Sequence, residues 1–132
     1  MPNQSVYQRQ AECNEKTALA AQSGFPDWAV IMCFYAALHW VNHYAFCNGD
    51  AKELDEGKDS PHQIRRQYVK KISRENRWRD LEECYELLFQ ASMTARYLRG
   101  LEDLDRTARE HYATSGVQPY FDYLDKIKKR LS

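Results

Sequence analysis

The chain is short of the residues that break helices. It has 5 Gly and 4 Pro in 132 residues, and its β-branched residues are thinly spread. A sandwich or barrel needs many turns between short strands, so this composition excludes those classes in favour of an all-α domain. Net charge is also missing. With 19 Lys and Arg against 19 Asp and Glu, the whole molecule has no field toward nucleic acid or membrane, and any anion site must come from a local cluster. No C-x-x-C pair occurs. Cys13, Cys33, Cys47 and Cys84 are irregularly spaced and read as reduced, small core residues of a cytosolic protein. The first residues, MPNQSVYQRQAECNE, contain no apolar signal region, which points away from secretion and toward a cytoplasmic location. The length fits one domain, 1–132, with a single core.

Apolar spacing and stop signals mark out the helices. The first runs from about Val6 to Gln22, before Gly24. The second starts at FPDW and ends at Cys47, before NGD. Residues 48–59, NGDAKELDEGKD, have no apolar period and read as a mobile loop. SPHQ opens the third, with Ser60 as N-cap, Pro61 at the first helical position and Gln63 completing a capping box; it continues to about Ser73. The fourth, Trp78 to Leu98, repeats Leu81, Cys84, Tyr85, Leu88, Ala91 and Ala95 at i, i+3, i+4. A short helix over 103–114 and a last one over 119–131 follow; the KIKKR end of the last complements its dipole. Long helices with short links imply an up-down bundle of four to five main helices.

Residues 28–47, WAVIMCFYAALHWVNHYAFC, contain no Asp, Glu, Lys or Arg. The length would suffice for a membrane span. Three features speak against one: His39, Asn42 and His43 near its middle, Asp27 and Asp50 where basic anchors are expected, and apolar stripes on the other helices that need a partner. The central helix of a bundle is the alternative. At about 100° per residue it divides into a dry face (Val30, Phe34, Ala37, Leu38, Val41, Ala45) and a face of apolar bodies with polar tips (Trp28, Met32, Tyr35, His39, Asn42, His43, Phe46). The second face suits a pocket or a subunit interface.

Three constellations could carry chemistry. His39 and His43, four apart on one helical face, have zinc-binding spacing, but two histidines make no site, His62 and Cys47 are distant additions, and no metal or other cofactor is expected. Arg65 falls inside the apolar stripe of Ile64, Tyr68, Val69 and Ile72, and an inward Arg needs a carboxylate, a phosphate or a cluster of carbonyls. His62 lies in the first turn, where N–H groups favour anions. Arg96 lies at the rim of the fourth helix's apolar face, so both arginines could point at the Tyr35/His39 seam. The plainer alternative is that each pairs with a Glu or Asp. Last, RTAREH sets Arg106 and His111 in an R-x4-H spacing. Such a pair can cleave RNA without metal, His moving protons and Arg stabilising the phosphorane; here the plainer alternative is a solvated, charged helix.

DWAVIMCFYAALHWVNHY, then SPHQIRR, then ASMTARYL, in that order, resembles the HEPN superfamily (higher eukaryotes and prokaryotes nucleotide-binding), and more narrowly a group of small bacterial HEPN-like proteins, over roughly residues 6 to 131. The resemblance implies an α-helical up-down bundle, frequently a homodimer. It implies either a metal-independent RNase of a toxin–antitoxin, phage-defence or RNA-processing system, or a non-catalytic module binding a nucleotide or a partner. Implied partners are RNA or a nucleotide, a second copy, and a cognate antitoxin or nucleotidyltransferase, with no membrane. Carried over residue by residue, Arg106 and His111 match the RNase motif, with Thr107 where Asn or Asp is usual. The other matching positions are Tyr35, His39, His62, Arg65, Arg96 and Tyr97, a candidate phosphate or nucleotide seam.

Overall fold

Ser5 caps the first helix by accepting the Gln8 N–H at 3.0 Å, and α1 winds from Val6 to Ala21. The computed structural model describes residues 4–55 and 57–132, among which there are helices and turns but no strand. α2, Pro26–Cys47, carries Pro at its first position and Asp27 in its first turn, both suited to a helix start. α1 returns antiparallel to α2: the Tyr7 ring meets Phe46 at 6.1 Å and Ser5 Oγ meets His43 Nδ1 at 2.6 Å. The residues that α1 buries completely are Ala11 and Ala18, two turns apart on one face and small enough to let the helices lie close.

α3 (Pro61–Asn76), α4 (Arg79–Tyr97), α5 (Ala108–Ser115) and α6 (Gln118–Leu131) follow. α4 runs antiparallel to α2, with Tyr44 against Trp78 near one end, Phe34 against Phe89 midway and Tyr35 bonded to Arg96 near the other. α6 runs antiparallel to α4, with Arg130 on Asp80, and approaches α1 through Lys128 and Glu15. Between these helices lie Phe34, Trp40, Val41, Leu81, Tyr85, Leu88, Leu124, Ile127 and Leu131, all buried. A second cluster joins Val30 and Ile31 of α2 to Ala91 and Ala95 of α4 and Tyr112 of α5.

α3 departs from a simple up-down order. His62 packs on Phe34, Arg65 bonds to Asn42 and Tyr68 bonds to Asp50, so contacts advance in the same sense along both helices. The link between α2 and α3 is therefore a return connection. Residues 48–59, read from the sequence as a mobile loop, include a 3-10 turn at Ala51–Leu54, with Leu54 buried, Asp50 accepting the Tyr68 hydroxyl at 2.8 Å and Glu53 paired with Lys71 at 2.6 Å. Glu56, within the same stretch, lies outside the described residues. The shorter α5 also starts later than its apolar spacing implies, because Thr107 caps it.

Among the described residues no helix is long and apolar enough to cross a membrane. The charge-free run is explained by packing: α2 touches α1, α4, α5 and α6, and the dry face from Val30 to Ala45 is buried as its spacing requires. The four thiols are free; Cys33 and Cys84 are buried, whereas Cys13 and Cys47 are exposed, so the core reading of the cysteines holds for two of them.

Candidate functional site

The wet-tipped face of α2 is partly covered, around Tyr35, His39 and Asn42, by the start of α3 and the end of α4, while Trp28 and Phe46 stay exposed. Arg65 turns inward as its position in the stripe demands. Its Nε donates to Asn42 Oδ1 at 2.9 Å and one Nη donates to the Pro61 carbonyl at 3.1 Å. Because Arg is only a donor, Asn42 must present its oxygen to Arg65 and its amide N–H to His39 Nδ1, at 3.3 Å. His39 is then the tautomer with its proton on Nε2. Burial first, and then the charge of Arg65, hold His39 below the usual imidazole range, which agrees with Nδ1 acting as an acceptor.

On the other flank Arg96 donates to the Tyr35 hydroxyl at 3.0 Å and lies over the Tyr97 ring at 5.1 Å. His62 sits between the flanks, its ring against Phe34, Tyr35 and Phe89. Its basicity is lowered by burial, then by Arg96, then by Arg65. Of the residues expected at the seam, contacts join His39 to Arg65 through Asn42 and Arg96 to Tyr35, whose ring meets His62. Tyr97 is different: it is 64% exposed and contributes a ring face to Arg96 from outside.

Among the described residues the ion pairs engage Arg66, Lys71, Arg79, Lys128, Lys129 and Arg130, but not Arg65 or Arg96. Asp55 lines a cleft of about 50 Å³ with Arg65, Asn42 and Tyr7 without forming an ion pair there. The acidic partners expected under the plainer alternative are replaced by neutral oxygens. Asn42, read from the sequence as a polar tip of this face, orients both Arg65 and His39, whereas Tyr85 was read only as part of an apolar stripe. Tyr85 of α4 is 1% exposed, has no partner for its hydroxyl, and has Arg65 as the charge acting most strongly on it.

The second constellation lies at the start of α5. Thr107 Oγ1 accepts the Glu110 N–H at 3.1 Å and Glu110 returns a carboxylate oxygen to the Thr107 N–H at 3.0 Å, a complete capping box. Arg106 thus stands just before the cap and His111 at the fourth helical position. The R-x4-H spacing is this relationship. Burial and then Arg106 keep His111 neutral at ordinary pH, and its ring lies edge-on to Tyr112 at 4.8 Å. Thr107, the departure from the usual motif, is the residue that makes the turn; the T-x-x-E pattern TARE was its signal. No bond or ring contact among the described residues joins this pair to the seam.

Buried side-chain polar atoms are normally partnered. Those without a partner here are Asp27 Oδ1, Trp40 Nε1, His62 Nδ1, Ser73 Oγ, Tyr85 Oη, Arg96 Nε, Arg106 Nε and His111 Nδ1, so most belong to the seam or to the α5 pair. Among the described residues no group of three or more His, Cys, Asp or Glu converges as metal ligands would. His39 is engaged by Asn42, while His43 Nδ1 is hydrogen-bonded with Ser5 Oγ and the ring lies 3.8 Å from Cys47 Sγ. No protein-family model, curated protein or solved structure matches the chain.

Proposed function

We propose that this protein is an RNA-directed, HEPN-like, metal-independent endoribonuclease of a bacterial toxin–antitoxin or defence system, working as a homodimer. The observation that supports the reading is the capping box at the start of α5, which sets Arg106 just before the cap and His111, its basicity lowered by burial and by Arg106, at the fourth helical position. A neutral imidazole can take the proton from a ribose 2′-hydroxyl as its oxygen attacks the adjacent phosphorus. The guanidinium stabilises the phosphorane charge, and the P–O5′ bond breaks as the 5′-oxygen gains a proton. One histidine serves both proton transfers poorly, so a second copy across a two-fold axis would supply the acid. Aromatic rings for stacking unpaired bases lie toward the same end: Phe25, under Arg109 of α5 at 5.1 Å, and the exposed Trp28 and Tyr97.

The test is incubation of single-stranded RNA with the protein in chelator. Wild type is expected to leave 2′,3′-cyclic phosphate and 5′-hydroxyl ends, and His111→Ala to lose about 100-fold or more in rate. Equal cleavage by His111→Ala, or none by wild type, removes the nuclease reading and leaves the helix start as a binding surface.

A further inference from the structure

We propose that the end of α2 is half of a zinc site, in which His43 Nε2 and Cys47 Sγ supply two ligands and a second copy of the chain supplies the same two across a two-fold axis. This stands apart from the nuclease reading: α5 packs on Val30 and Ile31 at the start of α2, and the pair lies at the other end.

The geometry of the two side chains comes first. His43 and Cys47 are four residues apart and project from one helical face. Cys47 Sγ lies 3.8 Å from His43 Nε2. A tetrahedral zinc, with Zn–N of about 2.0 Å and Zn–S of about 2.3 Å, sets these atoms roughly 3.5 Å apart, so the pair already stands close to the edge of a ligand tetrahedron. Sequence spacing couples His39 with His43; the structure turns His39 to Asn42 and leaves His43 beside the thiol. The ring is also held. Ser5 Oγ lies 2.6 Å from His43 Nδ1 and accepts the Gln8 N–H as the α1 cap. Its second lone pair can accept the Nδ1 proton, which makes Nε2 the nitrogen that faces a metal, and such a bond at the far ring nitrogen supports most histidine ligands.

The position in the helix favours a cation. Cys47 is the last residue of the 22-residue α2, whose last turn has no basic side chain. The negative end of the dipole therefore meets no cation from its own last turn. That end opposes a free thiolate, whereas a metal ion supplies the charge against which the thiol ionises. A thiolate with an imidazole selects zinc over magnesium or calcium. Among the described residues no third His, Cys, Asp or Glu converges on the pair, and structural zinc takes four ligands. A two-fold axis beside the pair repeats both ligands and completes a Cys2His2 set. The surroundings suit a second copy: Cys47 is exposed, and Phe46 and Val6 beside it are 57% and 59% exposed, an apolar rim that the partner would cover.

The test titrates reduced, chelator-stripped protein with zinc and weighs the particle by light scattering. Saturation at one zinc per two chains is expected, with at least a doubling of mass that excess chelator reverses. Cobalt(II) should give the absorption of a tetrahedral, thiolate-bound ion at the same stoichiometry. Cys47→Ser and His43→Gln should weaken zinc binding by about 100-fold or more. Cys13→Ser, which removes the other exposed thiol, should bind as wild type does. No zinc uptake by wild type overturns the proposal. Saturation at one zinc per chain without a change in mass overturns the shared site. Binding that survives Cys47→Ser, or that Cys13→Ser abolishes, overturns its assignment to the end of α2.

Discussion

Asn42 is the residue on which most local geometry depends. It is buried in a helix otherwise packed with apolar side chains, and its single amide sets both the direction of Arg65 and the tautomer of His39. Asn42→Ala removes the acceptor from a half-buried guanidinium and leaves a small void. A loss of about 2 kcal/mol is expected, measured as a shift in the urea midpoint at unchanged m-value. His39 was legible in the sequence because a histidine in a charge-free run stands out. Its dependence on Asn42 and Arg65 was not, because Arg65 is 23 positions from Asn42 and meets it only through the way α3 crosses α2. Tyr85 was hidden for a similar reason: in a stripe of apolar residues a tyrosine reads as core, and only the unpartnered hydroxyl beside Arg65 distinguishes it.

At the scale of elements, the start of α5 shows how a spacing becomes a local geometry. Four residues separate Arg106 from His111, and the Thr107–Glu110 box closes the turn between them. Thr107→Ala should cost about 1 kcal/mol of stability. It should also lower RNA cleavage by more than that loss of folded protein accounts for, because the pair separates when the first turn frays. Comparing cleavage rate with helix content by circular dichroism checks this; unchanged cleavage in a frayed variant would mean that the cap is structural only. The helix boundaries of α2 and α4 were readable from period and stop signals. The direction of α3 was not, since a link over 48–60 is long enough to serve a hairpin or a return connection. What decides it is the docking of His62 on Phe34 and Tyr68 on Asp50.

Across the whole molecule, His39, His43, His62 and His111 are all pushed toward the neutral form, burial being the largest cause for each. The unfolded chain therefore binds more protons than the folded one once pH falls below about 6.5, and stability must drop there. Glu86 adds a later loss. Burial acts against its charge, but the bonds from Arg66 and Gln90 outweigh it and hold the carboxyl below its ordinary value; that contribution disappears as pH falls through the lowered value. The expected profile is a plateau in Tm between about pH 7 and 8, a decline between pH 6.5 and 5 with a further decline in stronger acid, and a separate decline above about pH 8.5, where burial raises the Cys33 and Cys84 thiols. A Tm that is constant or rises from pH 7 to 5 would contradict the assignment of neutral histidines.

The cap on α5 has a further consequence for time-dependent behaviour. Eight residues are too few for a helix to persist alone in water, so α5 is held by tertiary contacts such as the Tyr112 hydroxyl on the Ala91 carbonyl at 3.0 Å. Under the proposed nuclease reading, the relative placement of Arg106 and His111 would depend on that short helix being wound and docked, so the active fraction of chains would follow how firmly Tyr112 keeps α5 against α4.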